Sequence, residues 1–140
     1  MPMLRGSCHC GQLRVAFETA LSPEALPVRA CQCSFCLRHA TLSTSDPTGH
    51  VTFEIDEPAL TSRYQFGLRM AEFLICARCG VNVGAIMRDG DATFAVLNIR
   101  ALDDRARFVQ PPQPMDYDGE DAATRATRRR ARWTPATVRG

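Results

Sequence analysis

Residues 76–80 are Cys76-Ala77-Arg78-Cys79-Gly80, two cysteines separated by two residues and followed by a glycine. One backbone turn of this kind presents two sulfurs to one metal ion, and the glycine permits the positive φ that turns backbone amides toward them. The other cysteines are also tightly clustered, in Cys8-His9-Cys10 and in Cys31-Gln32-Cys33-Ser34-Phe35-Cys36. The total of seven divides into four ligands for a closed tetrahedral zinc site and three for a site with an open position.

Metal ligation explains these cysteines better than disulfide bonds do. Their number is odd, and cysteines one or two residues apart rarely reach disulfide geometry without strain. No charged start followed by an apolar run precedes the first cluster, so we expect a cytoplasmic protein in which thiols stay reduced. Thiolates suit zinc, but an iron–sulfur centre also uses them. The spacing leaves open whether Cys76 and Cys79 share a metal with the first cluster or with the second.

The bulk composition predicts one domain with a modest core. The chain has 140 residues, 45% of them hydrophobic, and a net charge of +2. No stretch approaches the roughly 20 apolar residues of a membrane span, so we expect no membrane partner. All 17 basic residues are arginine, which excludes a lysine nucleophile or a lysine Schiff base.

Short alternating segments predict a mainly β domain. The pattern of polar and apolar residues is that of half-buried strands, and Arg88-Asp89-Gly90-Asp91 is a turn sequence between the last two of them. The predicted strands cover residues 12–18, 28–30, 51–55, 60–66, 72–75, 81–87 and 92–99.

The strand pattern stops at a proline-rich segment that contains Pro111, Pro112 and Pro114. We therefore divide the chain into a zinc-binding domain over residues 1–110 and a linker with an arginine-rich extension over 111–140, packed on the same domain or trailing it. Residues 120–133 are predicted to form a weak helix or a partly ordered tail. Its arginines could bind nucleic acid, but nearby carboxylates balance them, so we expect a solvated helix face and no nucleic-acid partner.

The three clusters together resemble the family of glutathione-dependent formaldehyde-activating enzymes, which includes centromere protein V-like domains. The resemblance covers roughly residues 5 to 110. Its motifs are Gly6-Ser7-Cys8-His9-Cys10-Gly11, Cys31-x-Cys33-Ser34-x-Cys36-x-Arg38, Arg63-Tyr64, Cys76-x-x-Cys79-Gly80 and Asn98-Ile99-Arg100-Ala101-Leu102-Asp103.

The resemblance implies a mainly β, Mss4-like zinc-binding fold, to which the extension adds a short C-terminal helix or tail. It also implies two zinc ions per chain. Cys8, Cys10, Cys76 and Cys79 would form the closed structural site, while Cys31, Cys33 and Cys36 would form a second, more labile site with an open position, and these three are the candidate catalytic residues.

The implied activity is that of a carbon–sulfur lyase or synthase whose partners are glutathione and an aldehyde. A thiol bound at the open position would be ionised and could add to formaldehyde, giving S-(hydroxymethyl)glutathione. The alternative is a zinc-stabilised binding or interaction domain without turnover, in which His39 or another residue closes the second site. A third possibility is an empty or loosely loaded site whose thiols oxidise.

Several neighbours of the cysteines have two interpretations. We expect His9 to point away from the metal and His39 to lie on the surface or behind the ligands. Arg38 would contact an anionic substrate, offset the charge of the thiolates or form a salt bridge. Gln32 and Leu37 depart from the residues usual in the family, which bears on the identity of the substrate.

Overall fold

Eleven β-strands and two α-helices form the part of the chain that the structure, a computed structural model, describes: residues 2–140. The helices are α1 Ser34–His39 and α2 Ala122–Arg132. The strands are β1 Met3–Ser7, β2 Leu13–Glu18, β3 Arg29–Cys31, β4 Ser43–Thr44, β5 His50–Ile55, β6 Thr61–Tyr64, β7 Glu72–Cys76, β8 Asn82–Asp89, β9 Ala92–Asn98, β10 Gln113–Met115 and β11 Thr134–Arg139. The predicted mainly β class with a short C-terminal helix is confirmed.

All eleven strands hydrogen-bond into one branched sheet. Its main path is β1-β2-β5-β11-β9-β4-β3-β10, and a second branch runs from β9 through β8 and β7 to β6. Strand β9 is the branch point because β8 pairs along nearly its whole length on one edge, while β11 and β4 divide the other edge between them. The sheet therefore brings the middle of the chain and its C-terminal strand together.

The alternation seen in the sequence produces the core. Strands β2 and β5 pair antiparallel with Val15 opposite Phe53 and Phe17 opposite Val51, and these four side chains are buried. Their polar neighbours along the same strands face outward or are half-buried, as a period of two requires. The predicted segments 12–18, 51–55 and 72–75 lie on β2, β5 and β7, and the predicted hairpin is β8 with β9.

The C-terminal extension contains a helix and a strand. Helix α2 begins after Asp121, whose carboxylate accepts the Thr124 backbone N–H at 2.7 Å, a normal N-cap. Strand β11 follows at once and pairs parallel with β5 and antiparallel with β9. Trp133, between helix and strand, is buried with Ala71 and Met87 in a second apolar cluster. Trp133 is therefore a packing residue.

The predictions missed five elements: strands β1, β4, β10 and β11 and helix α1. Strand β4 has two residues, and β10 has three and lies in the proline-rich segment predicted to be a linker. Strand β1 has only Leu4 and Gly6 buried, strand β11 depends on partners far away in sequence, and α1 is only six residues long. Neither α1 nor α2, the two α-helices of residues 2–140, is long and apolar enough to cross a membrane. The relation to Mss4 stays a prediction.

Candidate metal centres

The first and third cysteine clusters meet in space. The sulfurs of Cys8, Cys10, Cys76 and Cys79 all lie within 4.8 Å of one another, with Cys10 Sγ 3.6 Å from Cys76 Sγ and 3.7 Å from Cys8 Sγ. All seven cysteines of the chain are free thiols. The spacing left open which cluster joins Cys76 and Cys79. The fold places these two cysteines beside Cys8 and Cys10, as the family resemblance implied.

Two turns of similar construction present these four sulfurs. Cys8 donates its backbone N–H to Leu13 O at 2.9 Å, and Cys76 donates to Val81 O at 3.0 Å, five residues on in each case. A glycine in each turn has a positive φ, 87° at Gly11 and 82° at Gly80. Backbone N–H groups of Leu13 and Cys79 donate to the sulfurs of Cys8 and Cys76, both at 3.4 Å.

Gln12 belongs to this centre although sequence analysis did not select it. Its side chain is buried, and Nε2 donates to Cys76 Sγ at 3.4 Å and to Leu60 O at 3.1 Å. Its Oε1 accepts the Glu57 backbone N–H at 3.2 Å. The sequence contained one indication of this role: a polar residue stands at the start of a predicted strand, soon after the first cysteine cluster.

The surroundings of the four sulfurs favour negative charge on some of them. Burial raises the pKa of the Cys8 thiol to about 11. Burial also opposes ionisation of Cys76, but the Gln12 amide and the backbone N–H groups of Cys79 and Arg78 outweigh it and lower the pKa of Cys76 to about 6. Four converging soft sulfurs with N–H donors directed at them fit a tetrahedral thiolate-bound cation such as zinc.

The second cluster converges separately. Cys31 ends β3, Cys33 is the N-cap of α1, and Cys36 lies buried in the first turn of that helix. The three sulfurs lie within 4.8 Å of one another, and no histidine, carboxylate or further cysteine of residues 2–140 joins them. A three-sulfur donor set with N–H support fits a zinc ion that keeps one position for another ligand.

The three thiols of this cluster titrate unequally. The Cys36 backbone N–H donates to Cys33 Sγ at 3.3 Å. Hydrogen bonds from the Cys31 and Cys36 thiols lower the pKa of Cys33 to about 2, and the same interactions raise the pKa of Cys31 and Cys36.

The structure separates the neighbouring side chains from this cluster. His39 is exposed and stacks on Phe35 with ring centroids 4.4 Å apart, and His9 is also exposed. Arg38 Nη1 donates to Ser34 O at 3.0 Å, and Gln32 Nε2 donates to Ala30 O at 2.8 Å. Leu37 points to solvent with 58% of its surface exposed. His39 is therefore a surface residue rather than a fourth ligand.

The three-cysteine cluster opens into a large cavity of about 930 Å³, whereas the four-cysteine centre does not line that cavity. Its lining includes the aromatic residues Phe66, Phe73 and Trp133. It also includes arginines of α2 and residues of the segment that leads to it: Arg125, Arg128, Arg129 and Arg132, with Tyr117 and Glu120. The arginine-rich helix, expected to face solvent, thus lines the same cavity as the second cysteine cluster.

Comparison with known proteins identifies the family. A family model described as glutathione-dependent formaldehyde-activating enzyme matches residues 3–116. This chain belongs to the glutathione-dependent formaldehyde-activating enzyme family. Membership and the two cysteine clusters together indicate metal binding consistent with zinc and a role related to glutathione. No curated protein matches the chain significantly.

A solved structure agrees with the fold of this member of the formaldehyde-activating family. A crystal structure of a Rhodobacter sphaeroides protein superimposes with a TM-score of 0.61 at 24% sequence identity, over 79% of this chain and 99% of that chain. Both cysteine clusters lie inside the segment that the family model matches, while α2 and β11 lie beyond it. The arginines of the cavity lining therefore lie mainly outside the family segment.

Proposed function

We propose that this protein is a zinc-dependent carbon–sulfur lyase or synthase that forms or cleaves a glutathione–aldehyde adduct of the S-(hydroxymethyl)glutathione type. In this proposal the four-cysteine centre stabilises the fold. The reaction takes place at Cys31, Cys33 and Cys36, and the second zinc ion is more easily lost than the first.

One observation supports this division more than any other. Cys31, Cys33 and Cys36 line the cavity of about 930 Å³, and none of the other four cysteines does. Ligand sites in proteins are typically cavities of about 300–1,000 Å³ with mostly apolar walls and a few converging polar groups. A peptide-sized thiol therefore fits in front of the three sulfurs.

The chemistry of the donor set suits a thiol substrate better than water. A zinc ion held by the thiolates of Cys31, Cys33 and Cys36 would have a formal charge of −1; it would activate water poorly but would favour the ionised form of an incoming thiol. Helix α1 fixes two of these cysteines relative to each other, because Cys33 is its N-cap and Cys36 lies in its first turn.

The addition step balances without a redox partner. The thiol loses its proton to solvent, and its sulfur forms a bond to the carbonyl carbon of formaldehyde. The carbon–oxygen π bond breaks, and the oxygen takes up a proton to give the hydroxymethyl thioether. Cleavage of the adduct is the same sequence in reverse. A positioned, ionised sulfur is the main requirement, since orientation alone lowers the barrier of such additions.

The proposal is tested by measuring exchange between glutathione, formaldehyde and the adduct by NMR in the presence of the zinc-loaded protein. We expect exchange faster than the spontaneous reaction. A Cys31→Ser variant should lose the acceleration while native mass spectrometry shows one zinc ion retained. Ser62→Ala, an exposed change on β6 outside the cavity, is the matched control.

Failure to accelerate exchange would contradict the proposal. A protein with two zinc ions per chain that gave this result would not be this enzyme, and the alternative of a zinc-stabilised interaction domain would then be preferred. The exposed apolar side chains of Leu37, Tyr64 and Leu68 would be the first surface to examine for such an interaction.

A further inference from the structure

The cavity in front of the three cysteines is strongly basic. Six arginines and two carboxylates line it. A low-dielectric concave site concentrates the field of its charges, so this excess of arginine favours an anion inside the cavity. Only the arginines without a carboxylate partner in the protein are free to bind such an anion.

Two arginines of α2 already have protein partners. Glu120 accepts hydrogen bonds from Arg125 Nε at 3.3 Å and from Arg128 Nε at 2.9 Å. Arg125 Nη2 also donates to Tyr117 O at 2.9 Å, and the Arg128 guanidinium lies 3.5 Å from the centroid of the Tyr117 ring. These contacts fix the segment before α2 onto the helix and leave little charge for a ligand.

Four other arginines of the cavity have no carboxylate within 4.0 Å anywhere in residues 2–140: Arg29, Arg69, Arg129 and Arg132. Arg69 lies in the loop before β7, and we call the other three, on β3 and α2, the arginine cluster. Arg29 Nη1 donates to Ser45 Oγ at 2.8 Å, and Ser45 Oγ donates to Arg132 O at 2.7 Å. Ser45 therefore joins the strand that carries Arg29 to the end of α2.

Arg129 is the member whose charge is least compensated. Its Nε is buried without a hydrogen-bond partner, and its guanidinium lies 4.6 Å from the Trp133 ring centroid, with Nη1 4.0 Å from Met87 Sδ. Burial, together with the charges of Arg128 and Arg125, lowers the pKa of Arg129 to about 10. A half-buried cation without an anion is costly, and a bound anion would reduce that cost.

The arginine cluster is close to the cysteine ligands. Arg29 and Cys31 are two residues apart on β3, so their side chains lie on the same side of the strand. Both residues, with Arg129 and Arg132, line the same cavity.

We propose that the arginine cluster binds a carboxylate of the thiol substrate while its sulfur lies at Cys31, Cys33 and Cys36, so that the protein selects anionic thiols. The inference rests on the proposed function for the position of the sulfur. The carboxylate site itself depends only on Arg29, Arg129, Arg132 and the cavity. Helix α2 is then a substrate-binding element added beyond the family segment.

The test uses a ligand that carries the carboxylates of glutathione but has no free thiol. We expect S-methylglutathione to bind the zinc-loaded protein in isothermal titration calorimetry, and its diethyl ester to bind at least tenfold more weakly. Arg29→Gln and Arg129→Gln should each weaken binding of S-methylglutathione about tenfold and leave the weak binding of the ester unchanged. Arg130→Gln is the control on the same helix, because Arg130 is exposed and pairs with Asp89 at 2.9 Å.

Other outcomes overturn the inference without touching the proposed function. Equal binding of the acid and the ester would show that no carboxylate is recognised, even if adduct exchange is accelerated. Tight binding of glyoxylate, an aldehyde with a carboxylate, in place of S-methylglutathione would assign the arginines to the aldehyde. If S-methylglutathione binds as expected but exchange is not accelerated, the carboxylate site stands and the enzyme proposal fails. If Arg129→Gln lowers the unfolding temperature, the binding of S-methylglutathione by Arg29→Gln and Arg132→Gln tests the inference instead.

Discussion

The Gln12 side-chain amide donates a hydrogen bond to Cys76 Sγ over 3.4 Å, and the two residues belong to different halves of the four-cysteine centre. Gln12 follows the turn that holds Cys8 and Cys10, whereas Cys76 begins the opposite turn. The same side chain also contacts the backbone at Leu60 and Glu57. One buried amide thus links both sulfur-bearing turns to the segment between β5 and β6.

Replacing Gln12 with alanine should destabilise the protein by about 2 kcal/mol, because buried backbone groups and a sulfur lose their hydrogen-bond partner. Urea unfolding of the zinc-loaded protein measures the effect. Gln113→Ala is the matched control, since Gln113 is exposed and its side chain makes no hydrogen bond within the described chain. Equal stability of the two variants would show that Gln12 is dispensable.

The two cysteine clusters should respond differently to serine substitution. Cys76→Ser removes a buried thiol of the four-cysteine centre, and a structural zinc site contributes on the order of 10–16 kcal/mol, as much as the whole stability of a small domain. We expect this variant to be unfolded or insoluble. Cys31→Ser should stay folded, with an unfolding temperature within a few degrees of wild type and one zinc ion fewer.

Circular dichroism melting and native mass spectrometry of both variants test this asymmetry. A folded Cys76→Ser protein with full zinc content would refute the structural role. Unfolding of Cys31→Ser would show that the second cluster also supports the fold.

Gly6 should not tolerate a side chain. A Cβ at this position would contact the Ala101 carbonyl oxygen and approach Leu102 Cα to 2.8 Å, because β1 bridges to Leu102 at Gly6. Gly6→Ala should therefore cost about 1–3 kcal/mol and weaken zinc retention at Cys8, two residues on. Ser7→Ala, measured by the same thermal melts, should be nearly neutral. A stable Gly6→Ala variant would mean that β1 can move away at little cost.

The acid stability of the fold should depend on Asp46. Burial opposes its ionisation, but hydrogen bonds from Thr19 Oγ1 at 2.6 Å and from Thr48 N and Oγ1 at 2.9 and 2.7 Å hold the pKa of Asp46 below its ordinary value. A carboxyl whose pKa is lower in the folded than in the unfolded chain stabilises the fold above the unfolded pKa, about 3.9 for Asp. This contribution disappears as the pH falls through the folded pKa.

We therefore expect Asp46→Asn to lose about 1–2 kcal/mol of stability near pH 7, with the difference from wild type shrinking below about pH 4. Urea unfolding between pH 3 and pH 7 measures it. Asp91→Asn is the control, because Asp91 is exposed in the hairpin turn. A difference independent of pH would show that the charge of Asp46 does not contribute.

The sequence predicted the parts of the molecule that depend on local patterns. The alternation in residues 51–55 predicted β5, and the glycine after Cys79 predicted a positive-φ turn. These features require only neighbouring residues. Cys8 and Cys76 are nearly seventy positions apart, and the spacing could not show that they share one centre. That prediction came from the family resemblance.

The arginine-rich helix shows why the rest could not be predicted. Its residues have few strong apolar positions, and the sequence therefore favoured a solvated face. Strand β11 determines which arginines face the cavity. It pairs with β5 and β9, and this pairing positions the preceding residues Arg129 and Trp133 in the cavity lining. Such long-range pairing leaves no local signal in residues 122–132.

Strand β11 also has a consequence for biosynthesis. It lies between β5 and β9, so a nascent chain in which residues 134–139 are still inside the ribosome exposes unpaired edges on both of those strands. Exposed edges are prone to pair with other chains. The four sulfurs of the first centre have all been translated by residue 79, so zinc can be captured early. Helix α2, which bears Arg129, directly precedes β11, so the arginine side of the cavity is completed only after all four of these sulfurs have been made.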